Sequence, residues 1–565
     1  MENHVKTRLV WALALSIFAA EAMLFVHWIP DDAFISFRYA ANLAAGNGMV
    51  FNPGERVEGM SNPLWTALLG AATRAGLDTV RTAVTLSLAC SLAAIVMTFR
   101  LFDAVLAAVC AATPGERGYE GERRRFFGLR TVLAAGLVAS LPMIFYATSG
   151  LETHAEGALL LAGTVLHLEA RRRGGAGRMI GSQAALLCVA LLRPEGILFL
   201  LLGSAFILFG SAARKSGAVW GSAVVPLFIF AAIYTWKASY YGALLPNTYL
   251  AKPGASIGYL QPIWRGAFYL VRYFLVSGLV LLLPFCAIAF PPGAGRRRYA
   301  CAFIGALVTA QLAFIVFVGG DVLRFDRFTV PVIPMLLALA LAGFVRLDAL
   351  ARVRSRRLSM AAAVFCVTLM VGLNAGRVSM AIKKTCVHDW MHARVHRAVG
   401  EFLGEALPGG SVVVNEVGAI AYESGLATWD MIGLTDADVG RILYESYHRF
   451  GDSGTPWSVP RIADYLMSRN ASCIVVPSYG PVTIGAGVPE PGLMHPIWEG
   501  VFTHRDLAVR YRCWFRLRIH EGKYWYVFIR KDIADPGVDP SVLAESGSPC
   551  MTVEKCSAGG DEQGN

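Results

Sequence analysis

The segment LVWALALSIFAAEAMLFVHWIPDD, residues 9–32, decides how this chain folds. It opens with an apolar run from Leu9 to Trp28, and about 20 residues at a rise of about 1.5 Å each let a helix cross the hydrocarbon of a bilayer. Pro30 ends that helix, because proline lacks the backbone donor that a helix needs and restricts the residue before it. Asp31 and Asp32 follow directly. The sequence therefore predicts two carboxylates held at a membrane surface.

The composition of the whole chain is that of a membrane protein. Of its 565 residues, 55% are hydrophobic and 16% are charged, whereas an ordinary soluble protein carries roughly 25% charge. The net charge of +11 comes from short basic clusters between apolar runs, so it indicates membrane loops and no nucleic-acid partner. The sequence contains no P-loop, Rossmann glycine pattern, GxSxG or CxxC. Nucleotide-driven chemistry and a thiolate metal site are therefore not predicted.

The apolar runs predict a polytopic α-helical protein with about eleven transmembrane helices. The predicted spans are 9–28, 81–110, 130–148, 155–170, 179–193, 195–211, 218–240, 265–290, 300–318, 329–347 and 358–378. A further helical stretch, 63–76, is predicted to lie along the membrane surface. The first span is followed by further spans and not by a small-residue cleavage site. We therefore interpret it as a transmembrane helix and not as a cleaved signal peptide.

The basic clusters predict the orientation. With these spans, all six clusters fall on one side: Lys6 with Arg8, Arg117 with Arg123–Arg125, Arg171–Arg173, Arg214 with Lys215, Arg296–Arg298, and Arg352–Arg357. The positive-inside rule places that side in the cytoplasm of a bacterial inner (plasma) membrane, with a cytoplasmic N-terminus. The loops with chemically useful side chains then lie on the outer face.

Three regions follow from these patterns. Residues 1–378 are predicted to form the membrane module, whose outer first loop is 29–80. Residues 379–535 alternate helical and strand patterns, which predicts an extracytoplasmic α/β domain. Residues 536–565 are rich in Gly, Ser, Asp and Glu and are predicted to be a flexible tail.

The acid pair has two interpretations. Aspartate is favoured as a helix N-cap, and residues from Ala33 onward look helical. A cap needs only one acid, and the alternative is that Asp31 or Asp32 is a general base or, if any metal is bound, its ligand. The sequence requires no cofactor, although a divalent metal ion is compatible with it. His388, His392 and His396 have a spacing that can chelate a metal, but a stripe facing lipid headgroups is the preferred interpretation.

Polar side chains in the outer loops are candidate substrate contacts. The basic ones suit a phosphate, although solvated turns and local ion pairs, such as Arg193 with Glu195, explain them equally well. The candidates are Arg38, Asn42, Arg56, Glu58, Asn62, Glu152, His154, Arg193, Glu195, Asn247, Lys252, Asp321 and Arg327.

The segment DDAFISFRYAANLAAGNGMVFNPGERVEGMSNPLW, residues 31–65, resembles the first outer loop of the mycobacterial terminal arabinofuranosyltransferases and their bacterial relatives. These proteins belong to the GT-C superfamily of membrane glycosyltransferases. GLETH (150–154), RPEG (193–196), LPNTYLAKPG (245–254), GGD (319–321) and WDMIGLTD (429–436) match the same family pattern in order. The resemblance covers most of residues 9–440 and is weaker beyond.

The resemblance implies a GT-C fold and transfer of a sugar from a polyprenyl-phosphate-linked donor at the outer membrane face. The acceptor would be a cell-envelope glycan, lipid or protein. In this family an aspartate of the first loop is the catalytic carboxylate, which carries over to Asp31 and Asp32. The alternative is a transporter or flippase of a lipid-linked glycan, but such proteins place polar sites near the bilayer midplane. An outer-face scaffold would leave the acid pair without a task.

Overall fold

The computed structural model describes residues 2–110, 125–210, 217–251, 261–290, 295–350, 355–384, 390–451, 454–482, 494–519, 522–545 and 552–555. The membrane part is helical throughout these stretches. Its helices are α1 (Glu2–Met23), α2 (Asp31–Ala44), α3 (Pro63–Arg74), α4 (Thr79–Val109), α5 (Phe127–Val138), α6 (Leu141–Phe145), α7 (Thr153–Arg173), α8 (Ala176–Leu192), α9 (Gly196–Phe209), α10 (Gly217–Tyr241), α11 (Asn247–Ala251), α12 (Gln261–Ser277), α13 (Leu283–Ile288), α14 (Arg296–Val318), α15 (Ile333–Leu350) and α16 (Ser355–Lys384).

A helix overlies each of the eleven predicted spans. Four of them are long and apolar enough to cross a membrane, namely α4, α10, α14 and residues Leu358–Lys383 of α16. A bent pair around Gly278 is a fifth candidate, and the apolar helices in the α1, α5, α8 and α9 regions are shorter. The chain is therefore a multi-pass membrane protein, while the count of eleven and the orientation stay predictions.

Two predicted spans are not continuous helices. The span 130–148 breaks at Ser140, just before a helix that carries Pro142 in its first turn. The span 265–290 bends by 86° at Gly278, which has a positive φ of 75°. A residue other than glycine is strained in that conformation, and Pro284 restarts the helix beyond a short 3₁₀ turn. Hydropathy alone does not reveal such breaks, because the residues on both sides stay apolar.

The C-terminal part is an α/β domain built on one six-stranded sheet. Its strands are β1 (Ser411–Val414), β2 (Ala427–Asp430), β3 (Cys473–Ser478), β4 (Tyr511–Ile519), β5 (Lys523–Arg530) and β6 (Thr552–Lys555), in the order β2-β1-β3-β5-β4-β6. The strands β2, β1 and β3 run parallel, and the others pair antiparallel. Its helices are α17 (Trp390–Ala406), α18 (Ala419–Ser424), α19 (Ala437–Phe450), α20 (Ser458–Ser468), α21 (Pro496–Phe502), α22 (Arg505–Arg510) and α23 (Val542–Glu545).

Four residues of the predicted tail form a strand. Residues Thr552–Lys555 pair with β4 as an edge strand, and Glu554 forms a salt bridge with Arg516 across this pair. The outer edge of β4 offers unpaired backbone donors and acceptors that a short strand can satisfy. The flexible tail over 536–565 stays a prediction, and 546–551 and 556–565 lie outside the described stretches.

Helix α2 is buried between the membrane helices and the C-terminal domain. Phe34 and Phe37 belong to the large core of the membrane helices, whereas Ile35 and Tyr39 belong to a core formed by the C-terminal sheet and α17. Residues three and four apart share a helix face, so these two pairs point in different directions. The first loop therefore joins the two parts of the molecule.

The contact between α2 and the C-terminal domain depends on Gly418. A Cβ atom at this position would lie 2.0 Å from the backbone oxygen of Asp31. We expect Gly418→Ala to lower the free energy of unfolding by about 1–3 kcal/mol, the usual cost of overpacking, and to lower the Tm in detergent. Gly372→Ala is the control, because a Cβ there meets nothing within 4 Å. Equal Tm values for the two variants would contradict this role.

Candidate functional site

The acid pair does not cap its helix through a side chain. The helix begins at Asp31, its N-cap residue is Pro30, and no side chain bonds to the cap position. The Asp31 carboxylate instead accepts hydrogen bonds from the backbone N–H groups of Gly418 and Ala419, both at 2.8 Å. These amides open α18, 387 and 388 residues away in sequence. The cap interpretation is therefore wrong, and Asp31 links the membrane part to the C-terminal domain.

Two residues of the C-terminal domain complete the surroundings of Asp31. His396 on α17 lies with Nδ1 at 3.3 Å from Asp31 Oδ1, and its ring packs against Trp525 of β5 at 4.8 Å between centroids. Glu416 follows the end of β1, and one ligand atom from each of Asp31, His396 and Glu416 lies within 4.8 Å of the others. The carboxyl end of β1 therefore faces the membrane module, as in open α/β sheets, where ligands bind at that edge.

Burial and charge act together on these three groups. Burial raises the pKa of Asp31, but the hydrogen bond and charge of His396 and the two backbone amides lower it more, so the pKa lies below its usual value. Burial lowers the pKa of His396, and Asp31 and Glu416 raise it above normal. Burial and the charges of Asp31 and Asp32 raise the pKa of Glu416, although His396 opposes them. Asp31 is therefore an ionised group fixed in place.

Asp32 follows Asp31 in the first turn of α2 and is half-buried. Its negative charge raises the pKa of Glu416 in the C-terminal domain. It also acts electrostatically on Tyr146 of the membrane part, which Asp321 and Arg327 influence as well. The Asp32 charge therefore reaches titratable groups in both parts of the molecule.

Arg38 and Asn42, two predicted substrate contacts, hold the first loop in place. Arg38 is buried and donates to the backbone oxygens of Phe51 at 2.8 Å, Leu426 at 2.5 Å and Ala421, and to the side chain of Asn52. Asn42 donates to Phe51 and to another carbonyl of the same loop. Burial lowers the pKa of Arg38 to about 10. The Arg38 guanidinium therefore uses its donors on acceptors within the protein.

The end of the first loop is bound to α10 and α11. Glu58 is buried and pairs with Lys237 Nζ at 2.9 Å, and its backbone oxygen accepts from the Asn247 amide at 2.8 Å. The Asn247 side chain donates to carbonyls of the 433–436 turn. Arg56 is exposed and stacks on Tyr240 at 4.7 Å. Of this group, only Arg56 presents its charge to solvent.

The motifs GLETH (150–154) and RPEG (193–196) meet in a buried cluster of ion pairs. Arg193 Nη1 lies 2.8 Å from Glu152, and Arg193 Nε lies 2.7 Å from Glu195 and 3.4 Å from Glu156. The other Glu152 oxygen accepts from Asn62 at 2.8 Å. The structure thus brings together four of the predicted residues, and the local pairing of Arg193 with Glu195 holds within a larger cluster.

The remaining predicted residues fall into three groups. Arg327 forms a bidentate pair with Asp321, at 2.9 and 3.3 Å. His154 is fully buried, and its Nε2 lies 2.9 Å from the Met143 carbonyl, so it belongs to the core. Lys252 and His388 lie outside the described residues, and the side chain of His392 is not described either.

Sequence reasoning missed Glu416, Gly418, Asn52 and Lys237. Lys237 lies inside a predicted span, and a buried cation at such a place is costly unless it is paired. This cost could have predicted that Lys237 pairs with an acidic residue such as Glu58. The contacts of Gly418 with Asp31 and of Asn52 with Thr428 carry no local signal, because these partners are 387 and 376 residues apart in sequence.

Comparisons with known proteins find two curated relatives and one family model. The chain is 32% identical over 276 residues to a terminal beta-(1->2)-arabinofuranosyltransferase of Mycobacterium tuberculosis, covering 46% of this chain and 40% of that protein. It is 28% identical over 374 residues to the enzyme of the same name from Corynebacterium glutamicum, covering 59% and 50%. The chain therefore spans at most half the length of these curated relatives. A domain of unknown function, DUF8728, matches residues 387–528.

The fold matches that of ArnT from Cupriavidus metallidurans, solved bound to undecaprenyl phosphate. The TM-score is 0.54 at 14% identity, over 94% of this chain and 98% of that one. At this identity the likeness concerns the fold alone. The resemblance to arabinofuranosyltransferases predicted from the first loop is confirmed, and the GT-C type fold is confirmed in its coarse form.

The cluster around Arg193 predicts a large stability effect. Arg193→Met leaves buried carboxylates without their cation, and breaking a buried pair typically costs about 3–5 kcal/mol. We expect a marked fall of Tm in detergent. Arg178→Met is the matched control, because the Arg178 side chain is 41% accessible and lies 3.9 Å from Glu169, and such a solvent-accessible pair is worth roughly 0–1 kcal/mol. If the Tm of Arg193→Met equals that of the control, the cluster is not a structural centre.

Proposed function

We propose that this protein is an integral-membrane glycosyltransferase. It transfers a sugar from a polyprenyl-phosphate-linked donor to a cell-envelope glycan, lipid or protein at the extracytoplasmic face. The observation that carries the proposal is the acid pair at the start of α2, where Asp31 is fixed by the C-terminal domain and the charge of Asp32 reaches Tyr146 of the membrane part. A transferase for a lipid-linked donor needs a carboxylate at this kind of boundary, because the reacting bond lies at the membrane surface.

The similarities support the same activity. Both curated relatives are named as arabinofuranosyltransferases, and the structural neighbour was solved with a polyprenyl phosphate. The proposal takes the donor class from them and leaves the sugar, the acceptor and the linkage unassigned. The side of the membrane follows from the basic clusters.

Of the two acids, Asp32 is the proposed general base. The Asp31 carboxylate already accepts two amide hydrogen bonds and faces His396, so Asp31 is proposed as a positioning residue. Asp32 takes the proton from an acceptor hydroxyl, the acceptor oxygen bonds to the anomeric carbon, and the bond between that carbon and the phosphate oxygen breaks. Polyprenyl phosphate leaves with the bonding electrons, and the Asp32 proton passes to water.

The departing phosphate needs positive charge nearby. The cations considered for this task are Arg38, Arg193, Lys252 and Arg327. Arg38 and Arg193 are bound to protein acceptors, and Lys252 lies outside the described residues. We therefore propose Arg327, which shares the electrostatic surroundings of Tyr146 with Asp32, as the described phosphate contact. Its pairing with Asp321 fixes the guanidinium without filling all of its donors.

A transporter or flippase of a lipid-linked glycan is the less favoured function. Transporters place their substrate sites near the bilayer midplane, often on broken helices. In the described residues, the polar groups around Asp32 lie at the ends of helices.

The test is sugar transfer by purified wild-type protein and Asp32→Asn from polyprenyl-phosphate sugars in detergent or vesicles. Losing a general base typically costs about 10²–10⁴-fold in rate, so we expect kcat to fall by that range with little change in KM. Asp78→Asn is the control, because Asp78 caps α4 and asparagine caps equally well. Wild-type activity in Asp32→Asn, at normal protein level and Tm, would refute the proposed mechanism.

A further inference from the structure

Three side chains from distant parts of the chain bring metal-ligating atoms together. Asp31 opens α2, His396 lies on α17, and Glu416 follows β1. One oxygen or nitrogen from each lies within 4.8 Å of the other two. Among the described residues, this is the one group of three metal-ligating side chains that lie this close together. Asp31 is about a fifth exposed, with 21% of its side chain accessible, and His396 is buried. The cluster therefore lies at an edge that small ions can reach.

The distances suit a single cation. Nitrogen and oxygen ligands lie about 2.0–2.2 Å from a zinc ion, so two ligands at a tetrahedral angle are roughly 3.3 Å apart. Asp31 Oδ1 and His396 Nδ1 are 3.3 Å apart. The third ligand, from Glu416, is within 4.8 Å, and a small rotation of this partly exposed side chain brings it into range. An aspartate–histidine ion pair alone does not explain why a second carboxylate converges on the same point.

The charges also favour a cation. The charges of Asp31 and Asp32 both act on Glu416, against one imidazole. Like charges at this separation repel, and a divalent ion stabilises such a group by binding all of its members at once.

Each ligand is oriented by a further contact, which is characteristic of metal sites. The amides of Gly418 and Ala419 hold Asp31. The Asn415 side chain donates to Glu416 at 3.3 Å, and Asn415 in turn accepts from the Trp498 indole at 2.8 Å. Trp525 packs on the His396 ring. These contacts orient the three side chains toward one point independently of any ion.

We propose that Asp31, His396 and Glu416 bind a divalent cation of the zinc–manganese class. An imidazole with two carboxylates suits these ions better than magnesium or calcium, which prefer oxygen alone. Three protein ligands leave coordination positions for water or a ligand oxygen. The ion would join the first loop to the C-terminal domain. Its closeness to a donor phosphate rests on the proposed function, whereas the binding itself does not.

The experiment measures bound metal in the full-length protein in detergent, with no donor or acceptor present. The protein is stripped with EDTA, dialysed, and titrated with Mn²⁺ and separately with Zn²⁺, and bound metal is counted by mass spectrometry. We expect about one ion per chain for at least one metal, with a raised Tm. Glu416→Gln and His396→Ala should lose both effects.

His504→Ala is the matched control. His504 Nε2 lies 2.9 Å from Asp464, a histidine–aspartate pair that is not part of any three-ligand group among the described residues. Its variant should bind metal like the wild type. If His396→Ala does not fold, Glu416→Gln decides, because glutamine keeps the shape of a partly exposed side chain.

Two results would overturn the proposal: no stoichiometric metal in the wild type, or equal binding by Glu416→Gln and the wild type. Sugar transfer that survives with no metal bound would remove the ion's role beside the donor phosphate, and it would leave the proposed function standing. Conversely, full metal binding together with an active Asp32→Asn would remove the proposed base and leave the cation site.

Discussion

The structure depends on the way helix α2 is held between two bodies of protein. Asp31 at its start accepts hydrogen bonds from two backbone amides at the start of α18. Arg38, about two turns later, donates to a carbonyl within the same short helix and to another just after its end. The phenylalanines of α2 meanwhile pack into the membrane core. Charged side chains such as Asp31 and Arg38 are tolerated inside a protein only when hydrogen bonds or opposite charges satisfy them. The first loop therefore cannot move without releasing the C-terminal domain.

This constraint explains why so many polar residues of the outer loops are engaged with protein. Arg38, Glu58 and Asn247 bind backbone or side-chain partners between the loops, and Arg193 binds three glutamates. Ligand contact and structural anchoring use the same side chains, because both need hydrogen bonds to charged or polar groups. The substrate-contact predictions for these residues stay predictions. In the structure, Arg38 and Asn247 connect the outer loops to the C-terminal part, and Glu58 connects the first loop to Lys237.

The sequence predicted the helices of the membrane part, a helix over 63–76 and the alternation of helices and strands after residue 379, because hydrophobic periodicity and turn residues are local signals. It also led to the acid pair. It did not predict β2 or α19, whose short strand and polar helix pattern are weak signals, or the broken helices at Ser140 and Gly278. The environment of Asp31 was out of reach as well, because His396 and Gly418 are 365 and 387 residues away.

The measurement that tests the account most directly is a structure of the full chain with a non-transferable polyprenyl-phosphonate sugar bound. The account predicts that the sugar lies beside Asp32, with its phosphonate on the side of Arg327 and its chain leaving between the membrane helices. It also predicts that Asp31 keeps its contacts with Gly418 and Ala419 in the complex. A head group bound among Arg296–Arg298 at the opposite end of the helices, or at the bilayer midplane away from Asp32, would contradict the account.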